Sequence, residues 1–255
     1  MILAVSIENS EIVIGCFNEK ELLFKECFST DLLRTDFEYA MQIKTLLELY
    51  KIKLDDIEGV IISSVVPPMY EKIKKSVQKL IKAPIKTVGP GMKTGINILM
   101  DNPAQIGSDM ITMAVGALKS FQPPIVVINL GTATTLSVID EKGNYTGGMI
   151  MPGVQISMEA LVKNTSQLQK ISMSSPKKLI GKNTVQCMES GIITGHAASI
   201  DGLIDRIKKE KPNEYSLVAT GSFVNWIIPH CENNIKIDET LLLRGLKVIF
   251  DKNRR

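Results

Sequence analysis

The chain reads as an α/β protein built from two related halves. Three observations predict this. Strand-like runs precede helix-like runs, and that order occurs twice along 255 residues. An apolar run leading into a turn opens each half: Ile2 to Val5 before Ser6-Ile7-Glu8-Asn9-Ser10, and Val126-Val-Ile-Asn-Leu130 before Gly131-Thr-Ala-Thr-Thr135. A shift of 123 positions lays Ser6 on Asn129, Glu8 on Gly131 and Asn9 on Thr132. That period is too long for a solenoid and suits a duplicated domain. Two such hairpins facing each other across a cleft would suit a nucleotide's phosphate chain, since turn amides and hydroxyls bind phosphate oxygens.

The elements follow from local patterning. Residues 1–28 alternate as two or three antiparallel strands. Asp36 to Tyr50 carry helical apolar spacing, with Thr35 as N-cap. Val60-Ile61-Ile62 mark a buried strand within Ile57 to Val66, ended by Pro67-Pro68. Tyr70 to Ile81 suit an amphipathic helix with Lys72, Lys74 and Lys75 outward, Thr87 to Gly95 a loop, and Asp109 to Ser120 a helix closing the first half. In the second half the hairpin from Pro124 is followed by Gly147-Gly148 and Pro152-Gly153 as punctuation. Helices are expected at Ile156 to Lys163, Thr184 to Lys209 and residues 239–250, with a buried strand from Leu217 to Thr220 running into a turn at Gly221-Ser222.

Composition narrows the function classes. A hydrophobic fraction of 44% is ordinary for a globular protein, and a net charge of +3 is too weak to argue for nucleic acid. Basic residues are interspersed with acids, and the terminal Lys252-Asn-Arg-Arg is short. The N-terminus lacks a basic region before its apolar stretch, and no run of 18 apolar residues occurs, so neither a signal peptide nor a membrane span is expected. Cys16, Cys27, Cys187 and Cys231 form no CxxC pair, which implies a reducing, cytoplasmic compartment. His196 and His230 are too isolated for a histidine metal site and read as structural.

Ser63 and Ser64 read as strand-end hydroxyls rather than nucleophiles. Asp109, in Gly107-Ser108-Asp109-Met110, precedes an apolar helical run. That placement suits either a carboxylate base or a helix-start acid. Thr184 likewise suits an N-cap.

Ten stretches carry a resemblance to a known family: Ile61-Ile-Ser-Ser-Val-Val-Pro-Pro68, Val88-Gly-Pro-Gly91, Lys93-Thr-Gly95, Asn97-Ile-Leu99, Asp101-Asn-Pro103, Gly131-Thr-Ala-Thr-Thr135, Gly147-Gly148, Pro152-Gly153, Gly181-Lys-Asn-Thr184 and Ala219-Thr-Gly221. In these and in their spacing the chain resembles the type III pantothenate kinases, of the acetate kinase/sugar kinase/Hsp70/actin superfamily. The resemblance implies a duplicated ribonuclease-H-like (actin-like ATPase) fold, with residues 1–118 and 119–255 as its two domains. It implies a homodimer and ATP-dependent phosphorylation of pantothenate to 4′-phosphopantothenate, towards coenzyme A. The implied cofactors are ATP, Mg²⁺ and a monovalent cation, K⁺ or NH₄⁺.

By the same resemblance Asp109 is the catalytic base. Met100, Gly107, Ser108, Met110 and Thr184 fall on the pantothenate side. Ser6, Ile7, Glu8, Asn9, Ser10, Glu11, Ile12 and Val13 match the N-terminal phosphate loop. Thr132 matches an ATP contact, Ala219-Thr220-Gly221 the adenosine side, and Asn129 the monovalent-cation position. Glu38 and Tyr39 match a family Glu-Tyr pair with no assigned chemistry.

The chain departs from the family at several of these places. Ser6 and Glu8 stand where the family has aspartate and glycine, Asn129 where it has aspartate, Met110 where it has arginine and Met100 where it has tyrosine. Ser222 breaks a glycine pair. A glutamate beside a polyanion is expected to cost about 1 kcal/mol or more. Loss of a guanidinium donor is expected to cost roughly 1.5–3 kcal/mol. If roughly additive, such changes would slow turnover by several powers of ten. The expectation is therefore a pantothenate kinase of weakened turnover. The alternatives are a disabled relative acting as a ligand-binding or regulatory, transcription-accessory-like protein, or a kinase for another small alcohol.

Overall fold

The structure is a computed structural model, and it describes residues 1–254. Packing divides the chain into two compact units. Unit 1 comprises Met1–Ile96, Asp101–Lys119 and the C-terminal segment from Thr240; unit 2 comprises Asn97–Met100 and Ser120–Glu239.

Unit 1 is organised by a five-stranded sheet in the order β3-β2-β1-β4-β5, with β1 at Ile2–Ile7, β2 at Glu11–Phe17, β3 at Leu22–Ser29, β4 at Gly59–Ser64 and β5 at Ile85–Thr87. The first three strands are antiparallel, and β4 and β5 continue in parallel. Every residue of β1 is buried, as a central strand covered on both faces requires. Strand alternation divides its side chains. Leu3, Val5 and Ile7 join Tyr39, Ile43 and Leu47 of α1 (Asp36–Leu49) and Ile73 and Val77 of α2 (Pro67–Leu80) in one core. Ile2, Ala4 and Ser6 take the other face.

Helix α1 begins at a complete capping box. Thr35 accepts from the Glu38 amide, and the Glu38 carboxylate accepts from the Thr35 amide at 2.7 Å. The adjacent Tyr39 is buried, and its hydroxyl accepts from the Asp31 amide at 2.9 Å. The Glu38-Tyr39 pair thus has a structural purpose. Pro67 does not merely end β4. It opens α2 in the first turn, where a missing N–H costs nothing.

Helix α3 (Ser108–Ser120) and the last helix, α7 (Leu241–Lys252), complete unit 1, and α7 packs on β1, β2 and β4. Glycines let these two helices approach to backbone contact. A Cβ on Gly245 would lie 1.8 Å from the Thr112 carbonyl oxygen, and one on Gly116 would lie 2.2 Å from that of Leu241.

Unit 2 repeats the sheet. Its order, β10-β9-β6-β7-β8, is the first order read in reverse, with β6 at Ile125–Leu130, β7 at Ala133–Ile139, β8 at Tyr145–Pro152, β9 at Ser216–Thr220 and β10 at Lys236–Ile237. Three antiparallel strands are again followed by two parallel ones. The glycines at 147 and 148, expected as punctuation, lie inside β8. Its edge is extended by the Ile98 to Tyr145 bridge. Helices α4 (Val154–Lys163), α5 (Thr184–Glu210) and the short α6 (Val224–Ile227) flank this sheet. Ile193, Ile200 and Ile204 of α5 pack on Val126, Ile128 and Leu130. Pairing with neighbouring strands, rather than composition, made β5 and β10, and these and α6 are too short to show a period.

Candidate active site

In unit 1, β1, β4 and α3 converge at one end of the sheet. The Val65 amide donates to the Ile7 carbonyl at 3.0 Å, tying the ends of β1 and β4 together. In register, Ser6 stands beside Ser63. The Ser63 and Ser108 hydroxyls are 2.9 Å apart, and Ser108 donates to the Ser64 carbonyl at 3.2 Å. A hydroxyl has one proton, so Ser63 is the donor to Ser108. This relay fixes the start of α3 against β4. Sequence reasoning gave Ser63 no such part, because nothing local marks a hydroxyl whose partner lies 45 residues away.

Asp109 follows in the first turn of α3. Burial, the larger influence, raises the pKa of its carboxyl, and the nearby backbone amides of Met110 and Asp109 oppose that. One carboxylate oxygen lies over Gly107, where a Cβ would be 2.3 Å from it. Glycine at 107 is what lets Asp109 take this position. Met110 is buried in the helix packing.

The first hairpin holds the residues matched to the phosphate loop. The Glu8 amide donates to the Glu11 carbonyl at 2.9 Å, and the Thr30 hydroxyl donates to the Glu8 carbonyl at 2.7 Å. Among the described non-glycine residues only Lys51 has a positive φ, so Glu8 occupies its turn without backbone strain. Its side chain is partly buried. Burial first, then the charges of Asp109 and Glu11, push its pKa up to about 8, with Lys25 opposing. At neutral pH the carboxyl therefore carries less charge than its sequence implies. Ser6 is 1% exposed, and its hydroxyl has no hydrogen-bond partner. Asn9 and Ser10 are exposed at the turn, whereas the side chains of Ile7, Ile12 and Val13 are buried in the sheet.

Unit 2 presents the second group. Asn129 is buried near the end of β6, between Thr135 and Thr220 in register. Gly221, at φ +102°, lies over it; a Cβ there would be 2.7 Å from the Asn129 side-chain oxygen. Thr132 sits partly buried in the turn after β6. Met100 lies beside Gly147. Thr184 is exposed in the first turn of α5. The N-cap there is Asn183, which accepts from the Gln186 amide at 3.0 Å, so Thr184 is not the cap. Thr184 also lines an open pocket of about 430 Å³ with Ser157, Leu161, Leu168, Cys187 and Met188. Both histidines have structural partners: His196 with Thr134 at 2.9 Å and His230 with Ser175 at 3.0 Å. No group of three or more His, Cys, Asp or Glu able to hold a metal occurs among the described residues.

Two sheets of matching order, each opened by a hairpin, define the duplicated ribonuclease-H-like fold of sugar kinases and actin-like ATPases. A 2-dehydro-3-deoxygalactonokinase-like structure from Sinorhizobium meliloti superposes with a TM-score of 0.60 at 9% identity, covering 98% of this chain and 95% of that one. The family profile described as type III pantothenate kinase matches residues 2–206. Type III pantothenate kinases of Exiguobacterium sp. (strain ATCC BAA-1283 / AT1b) and Halalkalibacterium halodurans are each 38% identical to it. They align over 100% and 99% of this chain respectively and over 100% of their own lengths.

The chain belongs to the type III pantothenate kinase family. The reaction of that family is ATP-dependent phosphorylation of pantothenate in coenzyme A biosynthesis. No helix among the described residues is long and apolar enough to cross a membrane.

Proposed function

We propose that this chain transfers the γ-phosphoryl group of ATP to the primary hydroxyl of pantothenate, with Asp109 as the base. The observation that carries this reading is the setting of Asp109: partly buried, seated over Gly107, and raised in pKa at the start of α3. A primary alcohol is a weak nucleophile. A carboxylate of raised basicity accepts its proton as the oxygen attacks phosphorus and ADP leaves. Ser108, held by Ser63, fixes the first turn that aims Asp109.

The hairpin turn at Glu8 to Glu11 supports phosphate binding through its backbone, and Thr132 supports an ATP contact. The oxygen donors on this face of unit 1, including the unpartnered Ser6 hydroxyl, suit a hard divalent ion. Mg²⁺ there would neutralise charge on the transferred phosphoryl group. Asn129 is the residue we assign to K⁺ or NH₄⁺, through its amide oxygen. Met100 and Thr184 are assigned to the pantothenate side. The protein is proposed to be a cytoplasmic homodimer. Met110, buried and uncharged, cannot replace the charge-assisted donor of the family's arginine, so turnover is slower than in a chain with arginine there.

A coupled ADP-release assay with pantothenate, Mg²⁺ and K⁺ tests this reading. Pantothenate-dependent ADP release that disappears in Asp109→Asn is the expected result. ATP turnover indifferent to pantothenate would defeat it.

A further inference from the structure

Glu8 lies on the same face of the chain as Ser6, two residues on, by the alternation that places Leu3, Val5 and Ile7 in the opposite core. That face is the one on which Ser63 meets Ser108. The Ile7 carbonyl, next to Glu8, is bound by Val65, and a Cβ on Gly107 would stand 3.7 Å from the Val65 side chain. Glu8 and Asp109 therefore reach the same end of the sheet. Their carboxyl groups act on each other with like charge.

A second observation points to a ligand. The Ser6 hydroxyl, 1% exposed on this same face, has no hydrogen-bond partner. A buried hydroxyl without a partner is costly, and native chains satisfy such groups with protein, water or a bound ion. A carboxylate and a hydroxyl are hard oxygen donors of the kind that bind Mg²⁺, and Asp109 beside them stays available as the base.

We propose that Glu8 is the charged ligand of the divalent cation that accompanies the nucleotide, with Ser6 as a neutral neighbour. The proposal rests on the kinase reading above, but only on its ATP half. The glutamate is then no intruder beside the phosphates. Through the cation it becomes attractive to them. A free carboxylate at this place would repel a triphosphate; a cation-bound one recruits it.

The test is metal binding, read without turnover. Mn²⁺ is titrated into the full chain with a non-hydrolysable ATP analogue present, and free Mn²⁺ is followed by electron paramagnetic resonance. The expected result is nucleotide-dependent Mn²⁺ uptake that weakens roughly tenfold or more in Glu8→Gln. Analogue binding in the absence of metal should be unchanged or tighter in that variant. The double variant Ser6→Asp, Glu8→Gly moves the carboxylate two positions back on the same face and should regain Mn²⁺ affinity. Equal Mn²⁺ affinity in wild type and Glu8→Gln overturns the proposal, as does failure of the wild type to bind Mn²⁺ with the analogue. If the double variant does not fold, Glu8→Gln decides alone. No pantothenate is present. A different acceptor alcohol would therefore defeat the proposed function and leave this result standing.

Discussion

Asp109 shows how far a single residue could be read before folding. Its place at a helix start was legible from Gly107-Ser108-Asp109 and the apolar run that follows. Its burial and its seat over Gly107 were not, because both depend on β4 lying beneath α3. Asp109→Asn should lower kcat by about 10²- to 10⁴-fold, with protein stability little changed, as measured by the coupled assay and a thermal melt. Glu8 is the reverse case. Its charge suggested repulsion, but burial and neighbouring acids hold its pKa near 8, above the ordinary 4.5. A raised carboxyl pKa contributes stability that is complete below the unfolded value and is lost as pH rises through the folded one. The ligand-free chain should therefore lose melting temperature between about pH 4.5 and 8. Glu8→Gln should flatten that slope, and a slope unchanged in the variant would assign it elsewhere.

At the scale of elements, the long amphipathic helices and the hairpins declared themselves through period and caps. Thr35 and Glu38 marked the start of α1, and the apolar spacing of α5 marked its core face. What packs on what was not legible. His196 of α5 is buried against Thr134 of β7, and burial lowers its pKa from 6.5. A depressed histidine pKa contributes stability present above the unfolded value and lost as pH falls through the folded one. Acidification below about pH 6.5 should thus destabilise the chain, and His196→Gln should reduce that part of the dependence in melts across pH. The crossing of α3 and α7 is held by Gly116 and Gly245. Gly245→Ala forces a methyl group against the Thr112 carbonyl, which is backbone and cannot swing aside. A loss of about 1–3 kcal/mol is expected in denaturant unfolding.

At the scale of the whole molecule, α7 carries the sharpest consequence. Leu241, Leu243, Leu246 and Ile249 are fully buried, and each such side chain contributes about 1.5–3 kcal/mol. Removal of residues 240–255 should abolish cooperative folding of unit 1, visible as lost hydrogen-exchange protection in β1 and β4. The sequence by itself determined the α/β class, the duplication, the hairpin positions and the family, because these rest on local periodicity and on residue patterns at fixed spacing. Only the tertiary structure decided that the last helix returns to the first sheet, that Ser63 anchors α3, and that Ser6 is buried without a partner on the face that Glu8 and Asp109 share. Contacts between residues tens of positions apart leave no local pattern; they exist only when burial and hydrogen bonding bring distant strands and helices side by side.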